Sequence, residues 1–265
     1  MRIPFTQVDA FASEAFAGNP AAVMPLASWL PDATLQAIAA ENNLSETAFV
    51  IPAEGGEADF ELRWFTPAVE VALCGHATLA SGHVVLESEP TRERVTFATR
   101  KAGVLEVARD GLGYAMALPS YPAAPKLLPA ILAALGLDGA VETRWHTSEY
   151  ALIVVEDEAT VRALRPDFAA LAREGDVLTI VTAPGSDTDV VSRVFACGAG
   201  IDEDPVTGSA HSVLTPYWTE RLGRDRFTAY QASARGGKLT CRADGDRVVL
   251  GGQCVTVIEG TFLLP

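Results

Sequence analysis

Two short strings carry the residue types that could move a proton or grip an anion. Leu73-Cys74-Gly75-His76-Ala77-Thr78 sets a thiol and an imidazole on either side of a glycine. Glu203-Asp204-Pro205-Val206-Thr207-Gly208-Ser209-Ala210 sets two carboxylates and two hydroxyls around another. Each glycine opens a run with helical character. The first amides of a helix lack intrahelical partners and, with the helix dipole, favour a carboxylate or oxyanion, while glycine lets a ligand approach the backbone closely. Gly75 and Gly208 are therefore candidate binding positions, unless they merely permit tight packing. His76 suits proton transfer or hydrogen-bond donation near neutral pH, although a lone histidine is often a satisfied core residue. Ser209 could bond the same ligand or only cap its helix, and Asp204 precedes a proline, where aspartate also serves turns. Glu46 lies between Leu44 and the apolar residues 48–51, and partial desolvation there would suit a carboxyl to proton transfer. A solvated glutamate at a rim is the alternative on the residues alone.

The elements that must position these groups follow from periodicity and turn chemistry. Residues 3–11, 21–24, 47–51 and 59–65 read as strands, with a short amphipathic helix after Pro31-Asp32 that stops at Asn42-Asn43. The segment 75–86, GHATLASGHVVL, is apolar on every face, as expected of a helix surrounded by protein. Strands at 95–98, 104–108 and 114–118 complete a set that could wrap it. Four prolines mark residues 119–129, and residues 120–129 are read as a linker between halves at 1–119 and 130–254. The last strand, about 255–265, is a candidate to return to the first half. In the second half, helices are predicted near 129–136 and over 157–173 and 208–222, and strands at 177–182, 189–195, 227–232, 238–242, 247–250 and 253–262.

The halves share a pattern. Arg63-Trp64-Phe65 precedes Glu70 and Gly75, and Arg193-Val194-Phe195 precedes Glu203 and Gly208, so both read R-x-F, then E-x4-G-x-A. Each copy follows a strand and opens a helix, which favours duplication over chance. A fainter echo links Ser45-Glu46-Thr47-Ala48 to Ser148-Glu149-Tyr150-Ala151 without preserved spacing. The expected class is α+β, with two similar halves, each a curved sheet around one central helix.

Composition narrows the function. With 34 acidic and 20 basic residues the formal charge is −14, which repels phosphate backbones and anionic lipid, so neither a nucleic-acid nor a membrane partner is expected. The four cysteines form no CxxC pair, which suggests reduced thiols in a cytoplasmic protein and no zinc motif. No apolar stretch near a motif reaches a membrane span, and the first residues read as a strand rather than an export signal.

The strings Asn19-Pro20-Ala21-Ala22-Val23, Asn43-Leu44-Ser45-Glu46-Thr47-Ala48-Phe49, Phe65-Thr66-Pro67, Leu73 to Thr78 and Glu203 to Ala210 together resemble the PhzF phenazine-biosynthesis-like family. Gln231 with Arg235-Gly236-Gly237 resembles its late motif. The resemblance implies a diaminopimelate-epimerase-like fold, two barrel-like, mostly antiparallel halves, an active site in the cleft between them, and a homodimer. It implies that Glu46 transfers the proton, that His76, Asp204 and Ser209 bind or assist a small carboxylate-bearing, cyclic amino-acid-like substrate, and that no metal or organic cofactor takes part. Racemases of that fold place a cysteine before each helix-opening glycine. Here the pair is Cys74 and Thr207, and a threonine hydroxyl is far too weak an acid to replace a thiol, so two-thiol racemization is disfavoured. The expectation is a cofactor-independent isomerase in which Cys74 is a packing residue. The alternatives are an amino- or hydroxy-acid racemase, epimerase or dehydratase using Cys74, and a small-molecule-binding protein without turnover.

Overall fold

The computed structural model describes residues 1–264. The chain divides into one unit formed by Met1–Ala117 with the segment from Gly251 onward, and a second formed by Leu118–Leu250. In chain order the first carries β1 (Arg2–Ala10), β2 (Asn19–Pro25), α1 (Asp32–Asn42), β3 (Glu46–Pro52), β4 (Phe60–Phe65), β5 (Glu70–Val71), α2 (Gly75–Ser88), β6 (Arg94–Thr99), β7 (Val104–Asp110) and β8 (Gly113–Pro119), whose last two residues pass into the second unit. There follow β9 (Ala124–Pro125), α3 (Pro129–Ala134), β10 (Glu142–His146), β11 (Tyr150–Val154), α4 (Glu158–Ala163), α5 (Phe168–Arg173), β12 (Leu178–Pro184), β13 (Val190–Ala196), β14 (Ile201–Asp204), α6 (Gly208–Leu222), β15 (Arg226–Gln231), β16 (Gly237–Asp244) and β17 (Arg247–Gly252). Strand β18 (Cys254–Leu263) pairs antiparallel with β1 and so belongs to the first unit.

The duplication is written in strand direction. In the first unit β1–β2 is antiparallel, β2–β3 parallel, β3–β4 and β4–β5 antiparallel, β4–β6 parallel and β6–β7 antiparallel. In the second unit the same series runs through β10–β11, β11–β12, β12–β13, β13–β14, β13–β15 and β15–β16. Helix α2 thus corresponds to α6. The Ser-Glu echo is not part of this correspondence, since Glu46 starts β3 whereas Tyr150 starts β11, the counterpart of β2.

Helix α2 buries 11 of its 14 residues against β1, β2, β3, β6 and β7, which explains its lack of a polar stripe. At Gly82 an added Cβ would stand 2.4 Å from Val107 Cγ1 on β7, so a glycine sets how closely helix and sheet approach. Helix α1 covers β3 and β4 and closes a core of Ile3, Met24, Leu35, Ile38, Phe49 and Phe65. With α2 and α1 both against it, β3 is buried at every position from Thr47 to Ile51, and its sequence is a continuous apolar run rather than an alternation. In the second unit α3, α4 and α5 enclose a core that includes Leu135, Ile153, Val161, Leu171, Val181 and Phe195.

Two expectations need correcting, and one hairpin was not foreseen. Residues 120–129 are not a free linker: Ser120 N–H donates to Asp246 O, Tyr121 N–H to Ser212 O, and β9 pairs with β10. The Tyr121 bond has a cause in α6, where Pro216 has no N–H to give the Ser212 carbonyl one turn earlier, and Tyr121 supplies the donor. The helix predicted over 157–173 is two short helices broken at Pro166, each started by an aspartate: Asp157 accepts from Thr160 N–H and Asp167 from Ala170 N–H. The hairpin β10–β11 has no counterpart in the sequence reading. Among the described residues no helix is long and apolar enough to cross a membrane.

Candidate active site

In the first unit the start of β2, the start of β3 and the start of α2 converge. Parallel pairing sets Ala21 opposite Glu46, which brings Asn19 and Glu46 to the same end of adjacent strands. Helix α2 begins there with Cys74 at its N-cap, and Thr78 Oγ1 donates to the Cys74 carbonyl at 2.6 Å. His76 Nε2 lies 2.9 Å from Glu46 Oε2, with the two side chains only 5% and 12% exposed. Asn19 Nδ2 faces the other ring nitrogen, Nδ1, at 3.1 Å. Cys74 Sγ is 3.6 Å from Nδ1 and 4.0 Å from Nε2.

Burial works against a charged imidazole at His76, but Cys74 and Glu46 outweigh it and raise its pKa well above the ordinary value. The raised value favours a protonated ring, with Nε2 toward the Glu46 carboxyl. Burial, reinforced by Glu46, pushes the Cys74 thiol up to about 11, so it stays protonated and is a poor nucleophile.

In the second unit the equivalent place lies where β14, the start of α6 and the end of β15 meet. Thr207, the N-cap of α6, donates its hydroxyl proton to Asp204 Oδ2 at 2.5 Å. Gln231, fully buried, binds both residues: its Oε1 accepts from Thr207 N–H at 2.9 Å, and its Nε2 donates to Asp204 O at 2.7 Å. His211 Nδ1 donates to the Thr207 carbonyl at 2.8 Å, the contact that Thr78 makes in the other unit. Burial lowers the His211 pKa to about 4, so this ring is neutral. Ser209 hydrogen-bonds the hydroxyl of Tyr150, which lies in an aromatic cluster with Tyr121 and His146.

The structure thus brings Glu46, Gly75 and His76 together in the first unit, and Asp204, Gly208 and Ser209 in the second. Sequence reasoning did not select Asn19 or Gln231 as site residues, although both stand in the strings quoted above. Tyr150 was missed. The chemistry of the first cluster is that of a carboxylate beside a cationic donor at a helix start, suited to taking a proton while negative charge is held nearby. Three donor types, carboxylate, thiol and imidazole, also come within 4.8 Å of one another at Glu46, Cys74 and His76.

An α+β chain of two topologically matching units, each with a sheet around a buried helix, shares its fold with solved epimerase structures. A solved hydroxyproline epimerase from Agrobacterium vitis superposes with a TM-score of 0.60 at 13% identity, covering 98% of this chain and 92% of that one. Within that fold the chain belongs to the phenazine biosynthesis-like protein family, PhzC-PhzF, which it matches over residues 8–260. It is 50% identical, over the full length of both chains, to an uncharacterized isomerase of Pseudomonas aeruginosa. It is 43% identical to a PhzF-family protein of Enterococcus faecalis whose crystal structure superposes with a TM-score of 0.91, with 100% of each chain covered.

Proposed function

We propose that the protein is an isomerase that moves a proton between two carbon atoms of a small carboxylate-bearing, cyclic amino-acid-like substrate, with Glu46 as the base and then the acid. The observation that carries this reading is the His76 Nε2–Glu46 Oε2 contact of 2.9 Å in a nearly closed environment at the start of α2. Glu46 takes a proton from carbon, and the C–H electron pair enters the adjacent unsaturated or carboxylate system. The protonated His76 and the first amides of α2 stabilise the negative charge that develops. Glu46 then returns the proton to a second carbon, so that bonds shift and no oxidant or reductant is consumed. The full-length relative named as an isomerase supports the reaction class. Asp204 and Ser209 are assigned to substrate binding or assistance by their place at the equivalent helix start.

The test is solvent exchange. Candidate cyclic and unsaturated amino acids and other small carboxylates are incubated with the protein in D2O and followed by mass. A processed compound gains deuterium, and Glu46→Gln, which keeps the shape but loses the base, lowers the gain by about 10²–10⁴-fold. Deuterium gain that is unchanged in Glu46→Gln removes Glu46 from the mechanism, and binding without any gain favours a non-catalytic protein.

A thiol-dependent racemase or dehydratase reading draws on the 3.6 Å approach of Cys74 to His76. Against it stands the burial that keeps the thiol protonated up to about pH 11.

A further inference from the structure

Helix α6 sets the place of Ser209, but a residue of another strand engages its hydroxyl. Tyr150 and Ser209 are both half-buried and hydrogen-bond each other. The arrangement has a parallel in the first unit, where Asn19, the first residue of β2, faces His76, the residue after the helix-opening Gly75, at 3.1 Å. Tyr150 is the first residue of β11, the counterpart of β2, and Ser209 follows the helix-opening Gly208. We propose that Tyr150 is a positioning residue, which holds the Ser209 side chain in the orientation that grips a carboxylate at the start of α6. This rests on the reading in which Ser209 binds the substrate.

Tyr150 is itself held firmly. It stands opposite His146 in the hairpin β10–β11, and His146 stacks on Tyr121 with ring centres 4.7 Å apart and planes 15° from parallel. The Tyr121 ring lies 5.7 Å from that of Tyr150, and the Tyr121 N–H donates to the Ser212 carbonyl of α6. A brace therefore leaves α6 at Ser212, crosses two aromatic rings and returns to α6 at Ser209. Packed rings of this kind keep a preferred tilt, so the Tyr150 hydroxyl has little freedom to follow the serine. The serine must follow the tyrosine. Two hydroxyls carry two protons, and the bond between them uses one. The other proton is left to give to an oxygen at the helix start, where the first amides of α6 favour a carboxylate. Burial raises the pKa of Tyr150, so its hydroxyl keeps its proton and the pair donates as a neutral unit. Each hydroxyl also polarises the other, which strengthens the bond that the outer one makes.

The test is a double-mutant cycle read by binding. The probe is 2-aminobenzoate, a small cyclic amino acid whose own fluorescence reports its capture, titrated with the full chain, Tyr150→Phe, Ser209→Ala and the double variant. Ser209→Ala should weaken binding about tenfold and Tyr150→Phe about three- to tenfold. The double variant should bind within about twofold of Ser209→Ala alone, because Tyr150 acts only through the serine. A merely structural role for Tyr150 gives losses that multiply. Multiplying losses, a Tyr150→Phe chain that binds like the unaltered one, or an unaltered chain that does not bind the probe each overturn the proposal. Should Tyr150→Phe fail to fold, NMR of tyrosine labelled with 13C at Cζ decides. The tyrosine signal that Ser209→Ala displaces should move in the unaltered chain when 2-aminobenzoate binds, and a signal indifferent to the probe overturns the proposal. Deuterium exchange that depends on Glu46 tests the isomerase reading separately, since it survives a failed cycle.

Discussion

Arg63 grips Glu70 through two parallel hydrogen bonds, Nε to Oε1 at 2.7 Å and Nη2 to Oε2 at 2.8 Å. Arg193 grips Glu203 through the same atoms at 2.7 and 2.9 Å. This is the physical content of the R-x-F, E-x4-G-x-A repeat: each arginine leaves the strand before the site and pins the carboxylate four residues ahead of the helix N-cap. Each also reaches an outer helix, Arg63 through Asp32 at the start of α1 and Arg193 through the Leu164 carbonyl at the end of α4. The repeated motif therefore fixes where the two central helices begin.

Arg63→Leu should accordingly destabilise the fold, because it takes the buried guanidinium from between Glu70 and Asp32 and leaves them only the more exposed Arg100. Glu70→Gln should cost less, since the amide oxygen still accepts one of the bonds and Glu70 is partly exposed. Urea unfolding of both variants checks the order. The acid limb follows from the same pair. Arg63 holds the carboxyls of Glu70 and Asp32 below their ordinary values, so their stabilisation is complete above about pH 4.5 and disappears as pH falls through the lowered values. The Arg63→Leu chain should show a flatter loss of stability in acid, and an acid limb identical to that of the unaltered chain would refute the assignment.

His76 and His211 should titrate on opposite sides of the ordinary imidazole value. A base whose folded pKa is raised stabilises the fold fully below about pH 6.5, and that contribution is lost as pH rises through the folded value. His76 is such a group, so its pairing with Glu46 holds through neutral pH and weakens on the alkaline side. His211, lowered to about 4 by burial, acts the other way: its neutral form is part of the fold, and stability declines as pH falls from about 6.5 toward 4. Histidine ring signals followed by NMR should give a His76 midpoint above 6.5 that drops in Glu46→Gln. A midpoint at or below 6.5 in the unaltered chain would end the imidazolium–carboxylate description.

The site strings were legible because their chemistry is local: Gly75-His76 and Gly208-Ser209 open helices, and Glu46 starts a strand. What Arg63, Arg193 and Gln231 do was not, because each acts on a residue seven to 27 positions away. Strand β10 escaped for another reason. All five residues from Glu142 to His146 are half-buried, so ETRWH shows neither alternation nor an apolar run, and without it the apolar YALIV of β11 had no partner to suggest a hairpin. Between α4 and α5 the break was visible in Pro166-Asp167, a helix stop followed by a cap, but the apolar periodicity on both sides masked it.

Cys74 and Glu46 separate the two catalytic readings. Cys74→Ala should keep a much larger share of turnover than Glu46→Gln, because the carboxylate and the helix-start amides remain and only a small buried group is lost. The measurement is the rate of deuterium entry into a substrate found by the mass screen. A Cys74→Ala chain that is inactive while Glu46→Gln still turns over would install the thiol as the proton-transfer group.

Gln231 offers the sharpest test of how the second helix start is held. Its amide, itself fully buried, bridges Thr207 N–H and the Asp204 carbonyl, and it also donates to Thr207 Oγ1 at 3.1 Å. Gln231→Leu fills the space but removes the Gln231 bonds to the Thr207 N–H and the Asp204 carbonyl, at a cost of about 2 kcal/mol. Gln231→Glu is instructive because it keeps an acceptor for Thr207 N–H. It loses the donor to Asp204 O and sets a second carboxylate near the Asp204 side chain. If the amide serves both ends, the glutamate should be destabilised as well, with the larger loss near neutral pH and partial recovery in mild acid, where the new carboxyl regains a proton to donate. Urea unfolding at two pH values reads this directly. Two variants that unfold at the midpoint of the unaltered chain would show that Asp204 and Thr207 are held without Gln231.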